Sequence, residues 1–134
     1  MANRELRILD SFEEYLNNSN IRVTDRSRDL ILFDKDDLHF IMVNESSDPS
    51  YFRLLLPKVE AINENNKNNI NKKCLKVSTD IKVAKAVEVD DYIWLSVEMF
   101  ITSVTSDIYY IFNRSIQILE TMYHSYNQEN ATYE

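Results

Sequence analysis

The sequence predicts an α+β domain: one antiparallel five-stranded sheet in the element order α-βββ-α-ββ-α, with the terminal helices packed on one sheet face. Three observations predict it. Residues Ile81 to Ile101 carry the densest apolar alternation in the chain, the period-two signature of strands. Three apolar runs between Leu30 and Leu56 are joined by connections too short for helical crossovers, so they should pair antiparallel. Both ends of the chain carry apolar residues at helical spacing. With 134 residues, 44% of them hydrophobic and 28% charged, residues 1–134 read as a single domain large enough for a real core.

The first element is an amphipathic helix over Asn3 to Leu16. Leu6, Leu9, Phe12 and Leu16 form its stripe, Ile8 and Tyr15 widen it, and Asn3 is the predicted N-cap. Asn17 to Asn20 stops it. Ile21 to Asp29 is polar, with at most a short extended piece around Ile21 and Val23. The strands Leu30–Phe33 and Leu38–Val43 flank the acidic turn Asp34-Lys35-Asp36-Asp37. A third strand, Tyr51–Leu56, should close at Pro57, which cannot donate to a ladder. A middle helix is predicted from about Glu64 to Val77. Its many Asn residues are poor helix formers, so tertiary contacts must hold it. The last helix runs over Asp107 to Tyr126, with Ile108, Ile111, Phe112, Ile116, Leu119, Met122, Tyr123 and Tyr126 on its wide apolar face. Residues 127–134 read as a frayed tail.

The hairpin between the last two helices has two possible registers. Ile93, Leu95, Val97, Met99 and Ile101 form one apolar row; Ile81, Val83, Val87 and Val89 form another, interrupted by Lys85. A two-residue loop at Asp90-Asp91 would place the rows on opposite faces. A three-residue loop, Asp90 to Tyr92, sets Val89 against Ile93 and Val87 against Leu95 and merges them. Because a buried face fixes register, the merged arrangement is the expected one. It leaves Ala84, Ala86, Glu88, Trp94, Ser96 and Glu98 on the other face.

Composition narrows the function classes. A net charge of −7 argues against nucleic acid as a partner, since phosphate contacts need clustered Lys and Arg. The charge is uneven: Lys67 to Lys85 carries +5, and the remainder −12. Glycine is absent, which excludes Gly-rich phosphate loops and hands every left-handed turn position to Asn or Asp. No apolar run is long enough to cross a bilayer, and the charged N-terminal stretch has no signal-peptide core. One cysteine excludes an internal disulfide and fits a reducing compartment, so the expected location is the cytoplasm.

No catalytic, cofactor or metal set emerges. Asp34, Asp36 and Asp37 lack the glycine of a calcium loop and read as a solvated turn. His39 and His124 have no companion ligands at metal spacing. Cys74 lies on a helix's apolar stripe, the ordinary place of a small core residue rather than a nucleophile. Glu88 and Glu98 sit on an open sheet face, with no closed pocket to split their pKa values. The cluster Lys67, Lys72, Lys73, Lys76, Lys82 and Lys85 is ordinarily a solvated face; its functional alternative is docking of an acidic protein segment. Lys85 either snorkels from an apolar row or pairs with a carboxylate. Trp94, on an otherwise small and polar face, is the strongest candidate for partner contact; the alternative is that the middle helix or a loop of the same chain covers it.

The element order resembles the YbjN-like family, whose fold is shared with type III secretion chaperones. The resemblance rests on the strand Tyr51-Phe52-Arg53-Leu54 running into Pro57, the helix carrying Asn69-Ile70-Asn71, the strand Lys82-Val83-Ala84-Lys85-Ala86, and the strand with Leu95-Ser96-Val97-Glu98. It covers most of the chain, which departs from it in having no glycine at the hairpin turn. The resemblance implies a binding or regulatory module of the bacterial cytoplasm, often dimeric, with no catalytic residues to carry over.

The expectation is therefore a non-enzymatic protein-binding or regulatory module, chaperone-like or sensory-transduction-regulator-like, without a cofactor and working as a homodimer with a protein partner or client. Its contact residues would be Trp94, Ala84, Ala86, Lys72, Lys73, Lys76 and Lys82. Nucleic acid and membrane are not expected partners. The alternative is a small-molecule sensor with a cleft between sheet and helix.

Overall fold

The computed structural model describes residues 7–132, the side chains of 129–132 excepted. The elements are α1 (Ile8–Asn18), β1 (Arg22–Arg26), β2 (Leu30–Lys35), β3 (Leu38–Val43), β4 (Tyr51–Ala61), α2 (Lys67–Asp80), β5 (Ala84–Val89), β6 (Tyr92–Phe100) and α3 (Ile108–Thr132). All strand pairs are antiparallel, in one sheet of order β1-β2-β3-β4-β6-β5. The α+β class and the meander hold, but the sheet has six strands rather than five. The extra strand, Arg22–Arg26, has Val23 as its only apolar residue, so no alternation marks it. It is an edge strand held by its ladder to β2 and by Arg26, whose guanidinium reaches Asp10 at 2.9 Å and Glu13 at 3.3 Å on α1.

The inner sheet face and the terminal helices share the core. Phe12 of α1 meets Phe33, Phe52 and Phe112, with ring centroids 5.4, 6.5 and 4.8 Å apart. Ile31, Met42, Leu54, Leu95 and Val97 lie buried beneath these rings. Alternation along each strand sends these residues inward and their neighbours outward. The predicted N-cap Asn3 lies outside the described residues, and the described helix begins at Ile8. No side chain at the N-cap position itself, Arg7, caps that end. Asn44, fully buried after β3, does so instead: its Oδ1 accepts the Leu9 N–H at 3.3 Å while its Nδ2 donates to the carbonyls of Pro49 and Tyr51 at 3.0 Å.

Several boundaries differ from expectation, those of β4, α2, β5 and α3 among them. β4 does not stop at Pro57 but continues to Ala61. β3 pairs with β4 only as far as Leu55, so Pro57 has no ladder there to interrupt, and a bulge with Lys58 at φ 51° absorbs the irregularity. α2 starts at Lys67 rather than Glu64, because Asn63 and Asn66 tie the preceding turn with side-chain-to-backbone bonds that compete with a helix. α2 then runs on to Asp80, so β5 begins only at Ala84. α3 continues to Thr132, through most of the stretch expected to fray.

The hairpin register is the principal correction. The loop has two residues, Asp90 and Asp91, at φ 49° and 66°, the primed-turn geometry that matches strand twist. Val89 pairs with Tyr92, Val87 with Trp94, Ala86 with Leu95 and Ala84 with Val97. The two apolar rows therefore lie on opposite faces. Small Ala84 and Ala86 face inward because α2 packs over β5 there; Ser78 Oγ of α2 accepts the Ala86 N–H at 3.0 Å. Lys85 and Glu98 share the outer face, while Glu88 pairs with Ile93 on the other.

Candidate interaction surface

All three helices bury their apolar stripes against the inner side of the sheet. The outer face carries its own cross-strand row. Leu32 pairs with Ile41, Ile41 with Leu55, and Leu55 with Ser96, whose strand neighbour Trp94 pairs with Val87. Leu32, Ile41, Leu55, Trp94 and Val87 are each only partly buried. The indole Nε1 of Trp94 is shielded from water and has no hydrogen-bond partner. Trp94 is thus partly covered rather than standing free in solvent.

Beside this row runs a polar one. The Tyr51 hydroxyl donates to Glu98 Oε2 at 2.6 Å, and Lys85 Nζ reaches Glu98 Oε1 at 3.0 Å. Arg53 stands over the Tyr51 ring and reaches Glu45 at 3.7 Å. Burial and the bond to Glu98 push the Tyr51 phenol up to about 12. The donated hydroxyl, helped by Lys85, holds the Glu98 carboxyl below the usual carboxylate range. At the end of β6, Phe100 is 73% exposed and packs edge-on against Tyr51 at 5.6 Å. Sequence reasoning missed Phe100; its place at even spacing from Trp94 was the available signal.

The proposed contact residues do not form one surface. Trp94 is on the outer face, as predicted. Ala84 and Ala86 face the core. Lys73 is 1% exposed and lies inside the chain, bonded to Glu60 at 2.6 Å with its ammonium 4.2 Å from the centre of the Tyr126 ring. A lysine within a lysine run reads as solvated, and only the fold reveals its carboxylate thirteen positions upstream. Lys76 reaches Asp80 at 3.3 Å on the solvent side of α2, where Lys72 is also exposed. Lys82 is exposed just before β5.

The remaining candidates are dispersed. Asp36 and Asp37 form the β2–β3 turn at φ 51° and 65°, while Asp34 meets the exposed His39 at 2.6 Å. His124 is exposed on α3. Burial raises the Cys74 thiol above its ordinary value, the reverse of nucleophile activation. Among the described residues no three His, Cys, Asp or Glu side chains stand together as metal ligands, and no helix is long and apolar enough to cross a membrane.

No family model and no curated protein matches the chain. Among solved structures it is similar to the crystal structure of YbjN from E. coli, a candidate transcription regulator. The TM-score is 0.63 at 12% identity, over 93% of each chain. The chain has a YbjN-like fold.

Proposed function

We propose that this chain is a non-enzymatic protein-binding module, regulatory or chaperone-like, that works in the cytoplasm as a homodimer and holds its protein partner against the outer sheet face. One observation carries the reading: a six-stranded sheet keeps an apolar row through Leu32, Ile41, Leu55 and Trp94 on the side that, among the described residues, no helix packs against. Apolar rows left uncovered on one chain are ordinarily covered by another. Phe100 and Trp94 supply aromatic anchors of the kind that dominate interface energies. The paired charges around Arg53 and Glu98 supply a polar rim. The regulatory description of YbjN agrees in class with a binding module.

The test compares wild type with Trp94→Glu and Phe100→Glu by sedimentation and by quantitative pull-down from source-cell lysate. Expected is a wild-type dimer and a protein retained near stoichiometry, with retention lost in both variants while far-UV circular dichroism is unchanged. Equal retention by folded variants would overturn the assignment of this face. Unfolding of Trp94→Glu alone would make Trp94 a packing residue and leave Phe100→Glu to decide.

A further inference from the structure

A concave site lies on the opposite side of the sheet, at the corner where α2 ends and β5 begins. It is a cleft of about 580 Å³ between that corner and α3, floored by Met99 of β6. Ile81, Ile111 and Ile118 line its walls and pack only partly against the core. The chain turns this corner through a left-handed residue. Val83 has φ 69°, a left-handed conformation that a β-branched residue adopts only under strain. Its side chain is 58% exposed, and Tyr110, another apolar residue lining the cleft, is 69% exposed.

The charges at this cleft are asymmetric. Its one acid, Asp80, is engaged by Lys76 at 3.3 Å. Its two cations, Lys82 and Arg114, are exposed and have no ion-pair partner among the described residues. In a chain of net charge −7, an apolar hollow with two uncommitted cations at its mouth is a local inversion of the overall field. A volume of this size falls in the small-ligand range, where apolar walls supply affinity and a few polar groups fix orientation.

The geometry points to an amphipathic carboxylate as the occupant, a medium-chain acyl acid whose tail lies on Ile81, Met99, Ile111 and Ile118 and whose carboxylate meets Arg114 and Lys82. Arg114 can grip such a carboxylate through two parallel N–H bonds, and Lys82 adds a point charge. The site is separate from the outer sheet face and does not depend on the function assigned there.

The experiment titrates the full chain with decanoate, below its micelle concentration, and follows the methionine methyl signals by NMR. Expected is saturable movement of Met99, with the core residues Met42 and Met122 nearly still. Arg114→Glu combined with Lys82→Glu should weaken decanoate at least tenfold, and uncharged decanol should bind at least tenfold more weakly than decanoate to wild type. Trp94→Glu should bind decanoate as wild type does, which keeps this result separate from any failure of the sheet-face reading. Three outcomes would overturn the inference: uniform, non-saturating shifts of all the methionines, equal binding of decanoate and decanol, or undiminished binding by the folded double variant. A cleft that ignores decanoate but takes up an acidic peptide would also overturn it, making the site a protein-docking groove.

Discussion

Lys73 Nζ lies 2.6 Å from Glu60 Oε1, and the same oxygen accepts the Tyr126 hydroxyl at 2.7 Å. The three residues come from α2, the bulged end of β4 and α3, so one carboxylate ties both of these helices to the sheet. β4 advances from Leu56 to Glu60 while β6 retreats only from Leu95 to Ile93, and this bulge sets Glu60, rather than Lys58, opposite Ile93. Burial and the bond to Glu60 raise the Tyr126 phenol far above its ordinary value, so it stays a donor throughout the accessible pH range.

The two ions of this pair differ in exposure, and that difference predicts an asymmetry. The Lys73 side chain is 1% exposed, whereas that of Glu60 is 25% exposed. Glu60→Gln leaves a fully enclosed ammonium without its counter-charge, and about 3–5 kcal/mol should be lost in urea unfolding. Lys73→Met leaves a carboxylate that still reaches water and keeps the Tyr126 hydroxyl, so the loss should stay below about 2 kcal/mol. Equal losses would mean that the lysine's enclosure does not set the cost.

Asn44 predicts a helix effect at a residue that lies outside the helix. Asn44→Ala removes the acceptor for Leu9 N–H and strands the carbonyls of Pro49 and Tyr51. A loss of about 1–3 kcal/mol is expected, measured by thermal or urea unfolding. Hydrogen exchange should quicken first in the N-terminal turn of α1, because its other cap position, Arg7, offers no side-chain bond.

Tyr51 and Glu98 predict opposite limbs of the pH-stability curve. Tyr51 is raised in the folded state, so its contribution is complete below about pH 10 and is lost as pH rises towards about 12. Glu98 is depressed, so its contribution is complete above the ordinary carboxylate range and is lost as pH falls below it. Tyr51→Phe should flatten both limbs relative to wild type, by about 1–2 kcal/mol at most given their partial exposure. The check is the difference between the two proteins' stability curves, since the raised Tyr126 phenol contributes equally to both.

Lys85 pairs with Glu98 in the open, its side chain 53% exposed. Lys85→Met should therefore cost less than about 1 kcal/mol in denaturant unfolding. A loss several times larger would show that the pair braces the Tyr51 bond as well.

The legible parts of this chain were those governed by local rules. With no glycine, five of the seven positive-φ residues among those described are Asn or Asp: Asn20, Asp36, Asp37, Asp90 and Asp91. The turns were therefore predictable as acidic or Asn-bearing, and so were the helices with continuous stripes. What failed depended on neighbours distant in sequence. Ala84 and Ala86 face the core because α2 needs room above β5, and Val87 faces outward because Trp94 lies opposite it. Trp94 was legible as an outer-face residue because its β6 neighbours Leu95 and Val97 fix the inner face without help from β5. Phe100 was missed although the same alternation places it there.

The turn itself gives the last prediction. Asp90 and Asp91 both hold left-handed backbone, and their two carboxylates stand adjacent on a tight loop. Asp tolerates that region less well than Asn at the first position and Gly at the second, the pairing that primed two-residue turns favour. Asp90→Asn with Asp91→Gly should stabilise the protein by about 0.5–1 kcal/mol, because relief of the second residue's steric cost exceeds the entropy that glycine adds to the unfolded chain. The nuclear Overhauser contacts Val87–Trp94 and Ala86–Leu95 should persist unchanged. If the variant instead loses stability and shows Val87 against Leu95, the hairpin holds a three-residue loop and β5 is turned over relative to β6. Trp94 would then keep its face while Val87 would leave it, and the outer apolar row would end at Trp94.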